Sequence, residues 1–347
     1  MKQYQTTGPG TPLALVESET PTPTGTEVLL RTVTCGVCHS DVHLHDGAFD
    51  LGGGRSLPVG AAGMTLGHEI LGEVVAVGPD AEGVAVGDRR VVYPWIGCGE
   101  CSVCARGEEH LCLAPRNLGI HRGGGFGDHV VAPHPRYLFD AGDVSEALAA
   151  TYACSGLTAY STLKKTGPLG ESDQVVIVGA GGLGMMALQI GRAAFDLSPI
   201  VVDIDDGKLE AAKAEGAAAV FNSKDPEAAN GIKALTGGGA VAALDFVGSE
   251  PSANFGLSVL RKGGKLLVVG LYGGQLTFPL PFFPMMARTI QGNYVGSLED
   301  MGELMALVRE GRIPPIRVTE RDPAEAGEVL AELKAGRVSG RAVLRYR

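Results

Sequence analysis

The chain lacks three features that would each assign it to a class of protein. It has no basic surplus, because 39 Asp and Glu outweigh 29 Lys and Arg to give a net charge of −10. That balance argues against nucleic acid as a partner, since little cationic surface is left to neutralise phosphates. The longest uncharged apolar run, 175–188, is interrupted by glycines and too short to span a bilayer. The opening MKQYQTTGPG has no apolar centre of a signal peptide, so secretion is not expected.

These absences favour a cytoplasmic protein, in which thiols stay reduced. A spaced group of cysteines in that compartment indicates a metal site more than a disulfide framework. All eight histidines lie between His39 and His134, and six of the seven cysteines precede Leu113. We therefore expect metal chemistry in the first part of the chain and a different task in the second.

The pattern of apolar residues changes along the chain, and its length suggests two domains. Residues 66–92 are rich in valine and punctuated by glycine, which predicts short antiparallel strands of a barrel-like domain. From about Ser155 onwards, apolar runs alternate with helical segments. This alternation predicts a parallel sheet with helices on both faces. After about Gly292 the pattern is mixed again.

The most specific motif is a group of four cysteines with the spacing C-x2-C-x2-C-x7-C, formed by Cys98, Cys101, Cys104 and Cys112. Four thiolates satisfy the tetrahedral preference of zinc and leave no open position, so the site would be structural. An iron–sulfur cluster also uses four cysteines and stays as the alternative. Zinc is favoured because the ferredoxin spacing with its trailing Cys-Pro is absent.

A nucleotide-binding motif follows the apolar run VVIV. In GAGGLG, the residues Gly179, Gly181 and Gly184 have the G-x-G-x-x-G register. Because the motif follows a strand and opens a helix, it predicts a pyrophosphate site at the helix N-terminus. Asp203 ends the next apolar run, IVVD, where a carboxylate hydrogen-bonds the ribose hydroxyls. Its charge would repel a 2′-phosphate, so we expect NAD rather than NADP.

Three further residues could hold a second metal ion. Cys38, His68 and Cys154 would give zinc three ligands and leave a fourth position for water or substrate. Each has an ordinary alternative, because a single cysteine is commonly a small buried apolar residue and a single histidine is commonly hydrogen-bonded. Cys35 precedes Cys38 by three residues, and we interpret it as a buried thiol rather than a redox partner.

Six motifs occur in one order along nearly the whole chain: GVCHSDVH, GHE, the four-cysteine group, ACSGLTAY, GAGGLG and VVDIDDGK. This order resembles that of the zinc-dependent medium-chain alcohol dehydrogenases. The resemblance implies an α/β plus β-rich fold, with a doubly wound Rossmann sheet inserted in a GroES-like catalytic domain. The catalytic domain would span 1–154 and 295–347, with a structural zinc lobe at 94–112. The NAD-binding domain would span 155–294.

The resemblance also implies roles for individual residues. Cys38, His68 and Cys154 would bind a catalytic zinc, and the four-cysteine group would bind a structural one. Asp41 would orient the His68 imidazole. The catalytic residues would further include Ser40 and His43 as a proton relay, and Glu69 as a carboxylate near the metal. The expected NAD contacts are His39, Thr158, Gly179, Gly181, Gly182, Leu183, Gly184, Asp203, Lys208 and Arg341.

The implied activity is reversible hydride transfer between a primary or secondary alcohol and NAD, in a homodimer or homotetramer. The alternatives are a polyol or amino-alcohol dehydrogenase of the same superfamily, or a non-catalytic NAD-binding sensor. The residues do not name the substrate or its stereochemistry. The glycine-rich stretch 51–63 is longer than we expect in this family, and we hypothesise that it shapes access for bulky substrates.

Overall fold

The computed structural model describes residues 1–347. Contacts divide the chain into two compact units: unit 1 comprises 1–48, 58–157 and 296–347, and unit 2 comprises 49–57 and 158–295. The assignment of 49–57 to unit 2 was not predicted from the sequence. No helix has the length and apolar character needed to cross a membrane.

Unit 1 is built around a mostly antiparallel sheet centred on the strand VLLRTVTCGV. Its apolar and β-branched residues suit a pleated, buried surface, and Val28 and Leu30 are fully buried. The strands are β3 (Val28–Val37), β6 (Glu69–Val77), β7 (Arg89–Val92), β8 (His129–Ala132), β9 (Leu138–Phe139), β16 (Val318–Arg321) and β17 (Arg341–Arg345), with a separate pair β1 (Lys2–Gln5) and β2 (Ala14–Glu17). The sheet has the order β16-β17-β3-β6-β7-β9, and β8 also pairs with β3. Only β16 and β17 pair in parallel.

The helices of unit 1 are 4 to 12 residues long. They are α1 (His39–Asp46), α2 (Ser102–Ala105), α3 (Glu146–Thr151), α10 (Leu298–Arg309) and α11 (Ala326–Lys334). After α3 the chain forms a π-helical turn, Tyr152–Gly156, in which all five residues are buried. Such turns occur often at functional sites, and this one contains Cys154.

Unit 2 contains a six-stranded parallel sheet, as the alternating pattern predicted. Its strands are β10 (Val175–Val178), β11 (Ile200–Asp203), β12 (Ala219–Asn222), β13 (Ala240–Asp245), β14 (Leu260–Val268) and β15 (Thr289–Gly292). Their order is β12-β11-β10-β13-β14-β15, so the order reverses at β10. All four residues of β10, VVIV, are buried, which means that both faces of the strand are covered. In sheets of this kind ligands bind outside the carboxyl ends of the strands, where the order reverses.

One helix of unit 2 precedes the first strand of its sheet, and the other helices separate successive strands. The helices are α4 (Leu157–Lys164), α5 (Gly182–Phe195), α6 (Asp206–Ala214), α7 (Ala228–Leu235), α8 (Glu250–Ser258) and α9 (Phe282–Met286). The glycine-rich stretch forms part of a hairpin, β4 (Ala48–Asp50) and β5 (Ser56–Pro58). Asp50 of this hairpin and Gly274 both belong to unit 2, and the Gly274 N–H donates to the Asp50 carbonyl at 3.4 Å.

Candidate metal centres and nucleotide site

Unit 1 brings the three separated donors Cys38, His68 and Cys154 together. The ligand atoms of this trio all lie within 4.8 Å of one another. His68 is fully buried, yet neither of its ring nitrogens has a hydrogen-bond partner. The Cys154 thiol donates to Cys38 and holds the pKa of Cys38 well below its usual value, while the pKa of Cys154 is raised. A thiolate beside an unpartnered imidazole is a donor set that suits zinc.

Asp41 ties together the two loops that carry Cys38 and His68. It lies in the first turn of α1, fully buried. Its Oδ2 accepts from the Cys38 N–H at 2.9 Å, and its Oδ1 accepts from the Gly67 N–H at 3.1 Å. His68 Nδ1 lies 3.3 Å from Oδ1, close enough for electrostatic attraction although not a hydrogen bond. The carboxylate is therefore placed to fix both the loop positions and the His68 ring.

A buried ion pair lies beside the trio. Arg341, at the start of β17, pairs with Glu69, and both side chains are nine-tenths or more buried. The other Glu69 oxygen accepts from the Ser155 N–H at 3.2 Å. Burial raises the pKa of Glu69 to about 7, although the Arg341 guanidinium acts in the opposite direction. Gly36 has to be glycine here, because a Cβ would overlap the Glu69 carboxylate.

The four-cysteine group forms a second cluster in unit 1. Neighbouring sulfurs lie 3.5 Å (Cys101–Cys104), 3.8 Å (Cys101–Cys112) and 3.9 Å (Cys98–Cys104) apart. Backbone N–H donors around Cys101, from Cys104 first, lower the pKa of its thiol to about 6, which favours a thiolate. Four sulfurs at these separations can surround one ion and leave no vacant ligand position.

A buried carboxylate braces this lobe. Glu109 accepts from the Gly97 N–H at 3.2 Å and from the Tyr137 hydroxyl at 2.7 Å, and it pairs with Arg136 at 2.8 Å. Tyr137 and Arg136 lie outside the cysteine loop, so their contacts with Glu109 attach the loop to the rest of unit 1. Nothing in the sequence distinguishes Glu109, because an acidic residue in GEEHLC has the pattern of a solvated surface residue.

Trp95 packs against the trio from within unit 1. Its ring centroid lies 5.2 Å from that of His68, and its indole N–H donates to the Ala153 carbonyl at 3.0 Å. The side chain is 2% exposed. It gives His68 a large aromatic neighbour.

The glycine motif of unit 2 has the geometry of a phosphate loop. Gly179 has φ +100°, a conformation that L side chains rarely adopt, and its N–H donates to the Val202 carbonyl at 2.7 Å. A Cβ on Gly184 would overlap the Gly179 carbonyl, so the helix α5 packs this closely only with glycine there. A Cβ on Gly181 would meet nothing within 4 Å, which leaves open space where a ligand can approach the backbone.

Asp203 lies at the end of β11, next to this loop. Its Oδ2 accepts from the Ala180 N–H at 2.7 Å, and its Oδ1 accepts from the N–H groups of Ile204 and Asp205 at 2.8 and 3.0 Å. The carboxylate therefore holds the glycine loop against the carboxyl end of β11. It stays half exposed, and so can accept further hydrogen bonds from a ligand.

Comparisons with known proteins agree with this geometry. Residues 24–143 match the family described as alcohol dehydrogenase GroES-like domain, and residues 182–310 match the zinc-binding dehydrogenase family. The NAD-dependent alcohol dehydrogenase of Sulfurisphaera tokodaii is 38% identical, over 96% of this chain and 97% of its own length. That of Saccharolobus solfataricus is 37% identical over the same shares. The chain belongs to the zinc-dependent alcohol dehydrogenase family.

A solved structure of this family extends the likeness to the fold. The alcohol dehydrogenase from Aeropyrum pernix is 30% identical and superposes with a TM-score of 0.88, with all of both chains covered. The predicted family and the predicted fold class, a GroES-like domain with an inserted Rossmann sheet, are thereby confirmed. The expected cofactors of this alcohol dehydrogenase, NAD and two zinc ions, fit the two donor clusters and the open glycine loop.

The remaining predicted site residues lie on four helices and one strand, with Gly182 and Leu183 in the first turn of α5. On α1 of this dehydrogenase, Ser40 and His43 are half-buried and His39 is exposed. Thr158 is buried on α4 and Lys208 is half-buried on α6. Arg341 pairs with Glu69 in unit 1, an interaction that the sequence did not predict, and its contact with the NAD pyrophosphate stays a prediction. Cys35 is fully buried, as expected.

Two substitutions in α5 test the close packing of the glycine loop. Gly184→Ala forces a Cβ into the Gly179 carbonyl, so we expect a lower thermal midpoint and NADH binding weakened at least tenfold, roughly the effect of 1.4 kcal/mol. Gly191→Ala is the matched control, because the nearest atoms to its Cβ are at ordinary contact distances of 3.5 Å and beyond. It should be neutral or stabilising by up to about 1 kcal/mol. Equal NADH affinity in both variants would contradict this packing argument.

Proposed function

We propose that this protein oxidises a primary or secondary alcohol to an aldehyde or ketone with NAD as hydride acceptor, and catalyses the reverse reduction. The observation that carries the proposal is the trio of a half-buried thiol, a buried thiol and a buried imidazole with no partner on its ring nitrogens. Such a trio is costly to bury without a cation. It occurs in a chain that also has a complete glycine loop for a dinucleotide.

The two donor clusters would hold two zinc ions with different tasks. Cys98, Cys101, Cys104 and Cys112 would form a closed structural site. The trio of Cys38, His68 and Cys154 would leave one ligand position to the substrate. When bound, the catalytic zinc supplies a Lewis acid for the substrate oxygen, and NAD supplies the hydride acceptor.

The chain's own residues would move the proton. Ser40 and His43 lie within α1, directly after the ligand Cys38, and would carry the alcohol proton to solvent. Burial, with the nearby His39, lowers the pKa of His43 below its ordinary 6.5. His43 would therefore be neutral near pH 7 and able to accept a proton.

Residues around the trio would keep the metal donors in position. Asp41 would hold the His68 ring through the contact of its Oδ1 with the ring Nδ1, as its hydrogen bonds to both ligand loops support. Glu69 would act from behind the site, since its two oxygens are engaged by Arg341 and the Ser155 N–H. Trp95 would restrict water next to His68.

In unit 2, Asp203 would select NAD over NADP. The position of its carboxylate at the end of β11 supports this, because an acidic residue there hydrogen-bonds the ribose in dinucleotide-binding sheets. Gly179, Gly181, Gly182, Leu183 and Gly184 would approach the pyrophosphate at the start of α5. His39, Thr158, Lys208 and Arg341 would make the other NAD contacts.

We further infer a cytoplasmic homodimer or homotetramer. None of the seven cysteines forms a disulfide, which suits a reducing compartment. The parallel sheet ends at β15, and an unprotected edge strand is a template for pairing with a second chain. Exposed apolar side chains in the segment between β14 and β15, Tyr272, Leu280, Phe282 and Met285, would then be covered. Sedimentation at several protein concentrations would separate monomer, dimer and tetramer.

The activity itself is tested with a panel of alcohols. We expect NADH fluorescence to rise with NAD and at least some primary or secondary alcohols, and to rise far less with NADP. A strong chelator should abolish turnover, and added zinc should restore it. A folded, zinc-loaded protein that binds NADH but turns over no alcohol, aldehyde or ketone would instead be a sensor.

Metal analysis of two cysteine variants tests the division of tasks. The intact chain should hold two zinc ions, one for each cluster. Cys38→Ser should lose one ion and the activity with little change in thermal midpoint. Cys104→Ser should lose the other ion and unfold at a markedly lower temperature, because structural metal binding is coupled to folding. Two ions retained in Cys104→Ser, or equal thermal midpoints, would refute the assignment.

The relay is tested with His43→Gln. Removing the acceptor should lower kcat for alcohol oxidation near pH 7 on the order of a hundredfold, with partial recovery at higher pH, where hydroxide takes the proton. In the unmodified protein the acid limb of kcat/KM should lie below pH 6.5, since the pKa of His43 is lowered. His121→Gln, an exposed histidine with no assigned role, is the matched control. An unchanged pH profile in His43→Gln would remove His43 from the mechanism.

A further inference from the structure

Val295, in unit 2, has a backbone conformation that its side chain disfavours. It has φ +41°, one of three non-glycine residues with positive φ, and it is the only β-branched one. A β-branched residue in the left-handed region is an outlier that persists only when its surroundings hold it there, and such outliers cluster at functional sites. Val295 follows β15 at the carboxyl edge of the parallel sheet, where nucleotides bind.

The side chain of Asn293 holds this residue in place. Asn293 is buried, and its Nδ2 donates to the Val295 carbonyl at 3.2 Å. Its backbone N–H donates to the Val268 carbonyl at 2.9 Å, which continues the sheet past β15. The Ser161 hydroxyl also donates to the Val295 carbonyl. The strained carbonyl is therefore fixed by two donors from two elements.

The same amide connects this turn to the first turns of α4. Its Nδ2 also lies 2.9 Å from Thr162 Oγ1 and 3.1 Å from Ser161 Oγ, and its Oδ1 accepts from the Lys165 ammonium. A longer contact of 3.5 Å reaches the Thr158 carbonyl. Asn293 thus joins α4 and the exit of β15 through one buried polar cluster.

Thr158, on α4, belongs to the same cluster. Its side chain is 6% exposed, and its Oγ1 has no hydrogen-bond partner. Buried hydroxyls are rarely left unpaired, so Thr158 marks this cluster as an unusual place in the nucleotide-binding unit. The Thr158 carbonyl, in contrast, accepts from the Thr162 hydroxyl at 2.6 Å, which holds this turn of α4 rigidly.

We propose that Asn293 is a positioning residue for NAD: its carboxamide holds Val295 in the left-handed conformation and locks that turn to the helix carrying Thr158. The inference rests on the proposed function, since it takes NAD as the ligand of this edge. Asn293 acts through the backbone of residue 295. Its contribution to NAD affinity should therefore disappear when residue 295 can adopt the left-handed conformation without support. Glycine at this position meets that condition, because it adopts positive φ without a steric penalty.

A double-mutant cycle measures this dependence. NADH affinity is determined by fluorescence titration for the zinc-loaded intact protein, Asn293→Ala, Val295→Gly and the double variant. Asn293→Ala should weaken NADH binding about tenfold, the upper effect of one lost hydrogen bond. In the Val295→Gly background the same change should cost less than about threefold. Should Asn293→Ala fold poorly, Ser161→Ala, which removes the second donor to the Val295 carbonyl, takes its place with the same expectation.

Each result decides the proposal. Asn293→Ala that lowers the thermal midpoint but leaves NADH affinity intact would reduce Asn293 to a structural role. An affinity loss that persists in full in the Val295→Gly background would show that Asn293 does not act on NADH affinity by holding the Val295 backbone. If the intact protein binds no NADH while it holds zinc and is folded, the proposed function fails, and that result is distinct from either of these.

Discussion

The buried ion pair between Glu69 and Arg341 is the interaction on which the metal-binding unit depends. Glu69 follows His68, the Ser155 N–H that it binds follows Cys154, and Gly36, on which its carboxylate packs, lies two residues before Cys38. The ion pair therefore joins the three chain segments that carry the trio. Losing one partner would leave an uncompensated buried charge, at a cost of about 3–5 kcal/mol. The placement of the donors and the stability of the fold are consequently coupled at one point.

The two donor clusters of unit 1 show two ways of organising sulfur ligands. The four-cysteine group comes from one short loop. The Glu109 carboxylate attaches this loop to the rest of unit 1 through Tyr137 and Arg136. The trio comes from three distant segments and is fully dependent on packing, with Asp41 and Glu69 as its hydrogen-bonded supports. A local loop suits a closed structural site, because its ligands need no other part of the fold. A convergent site can leave one position open, because the surrounding unit sets its shape.

The nucleotide edge of unit 2 needs unusual backbone at two places and obtains it by two means. Gly179 adopts its positive φ with no side chain to oppose it, and Gly184 allows α5 to pack against the loop. Val295 keeps a side chain that is buried in the unit, so its left-handed backbone has to be held by Asn293 and Ser161. A glycine can indicate a left-handed backbone position in a sequence. A valine whose left-handed backbone is held by hydrogen bonds gives no such indication.

The sequence by itself determined the residue types and local spacings: the cysteine loop, the glycine motif with Asp203 after the next strand, and the alternation that predicts a parallel sheet. These signals depend on neighbours along the chain, so pattern and chemistry are enough to read them. Only the tertiary structure decided that Arg341 pairs with Glu69, 272 positions away, that Glu109 braces the cysteine lobe, that 49–57 packs with unit 2, and that Asn293 binds α4. Such contacts join residues far apart in the chain, and an arginine, a glutamate or an asparagine has the same local pattern whether it is solvated or buried against a partner.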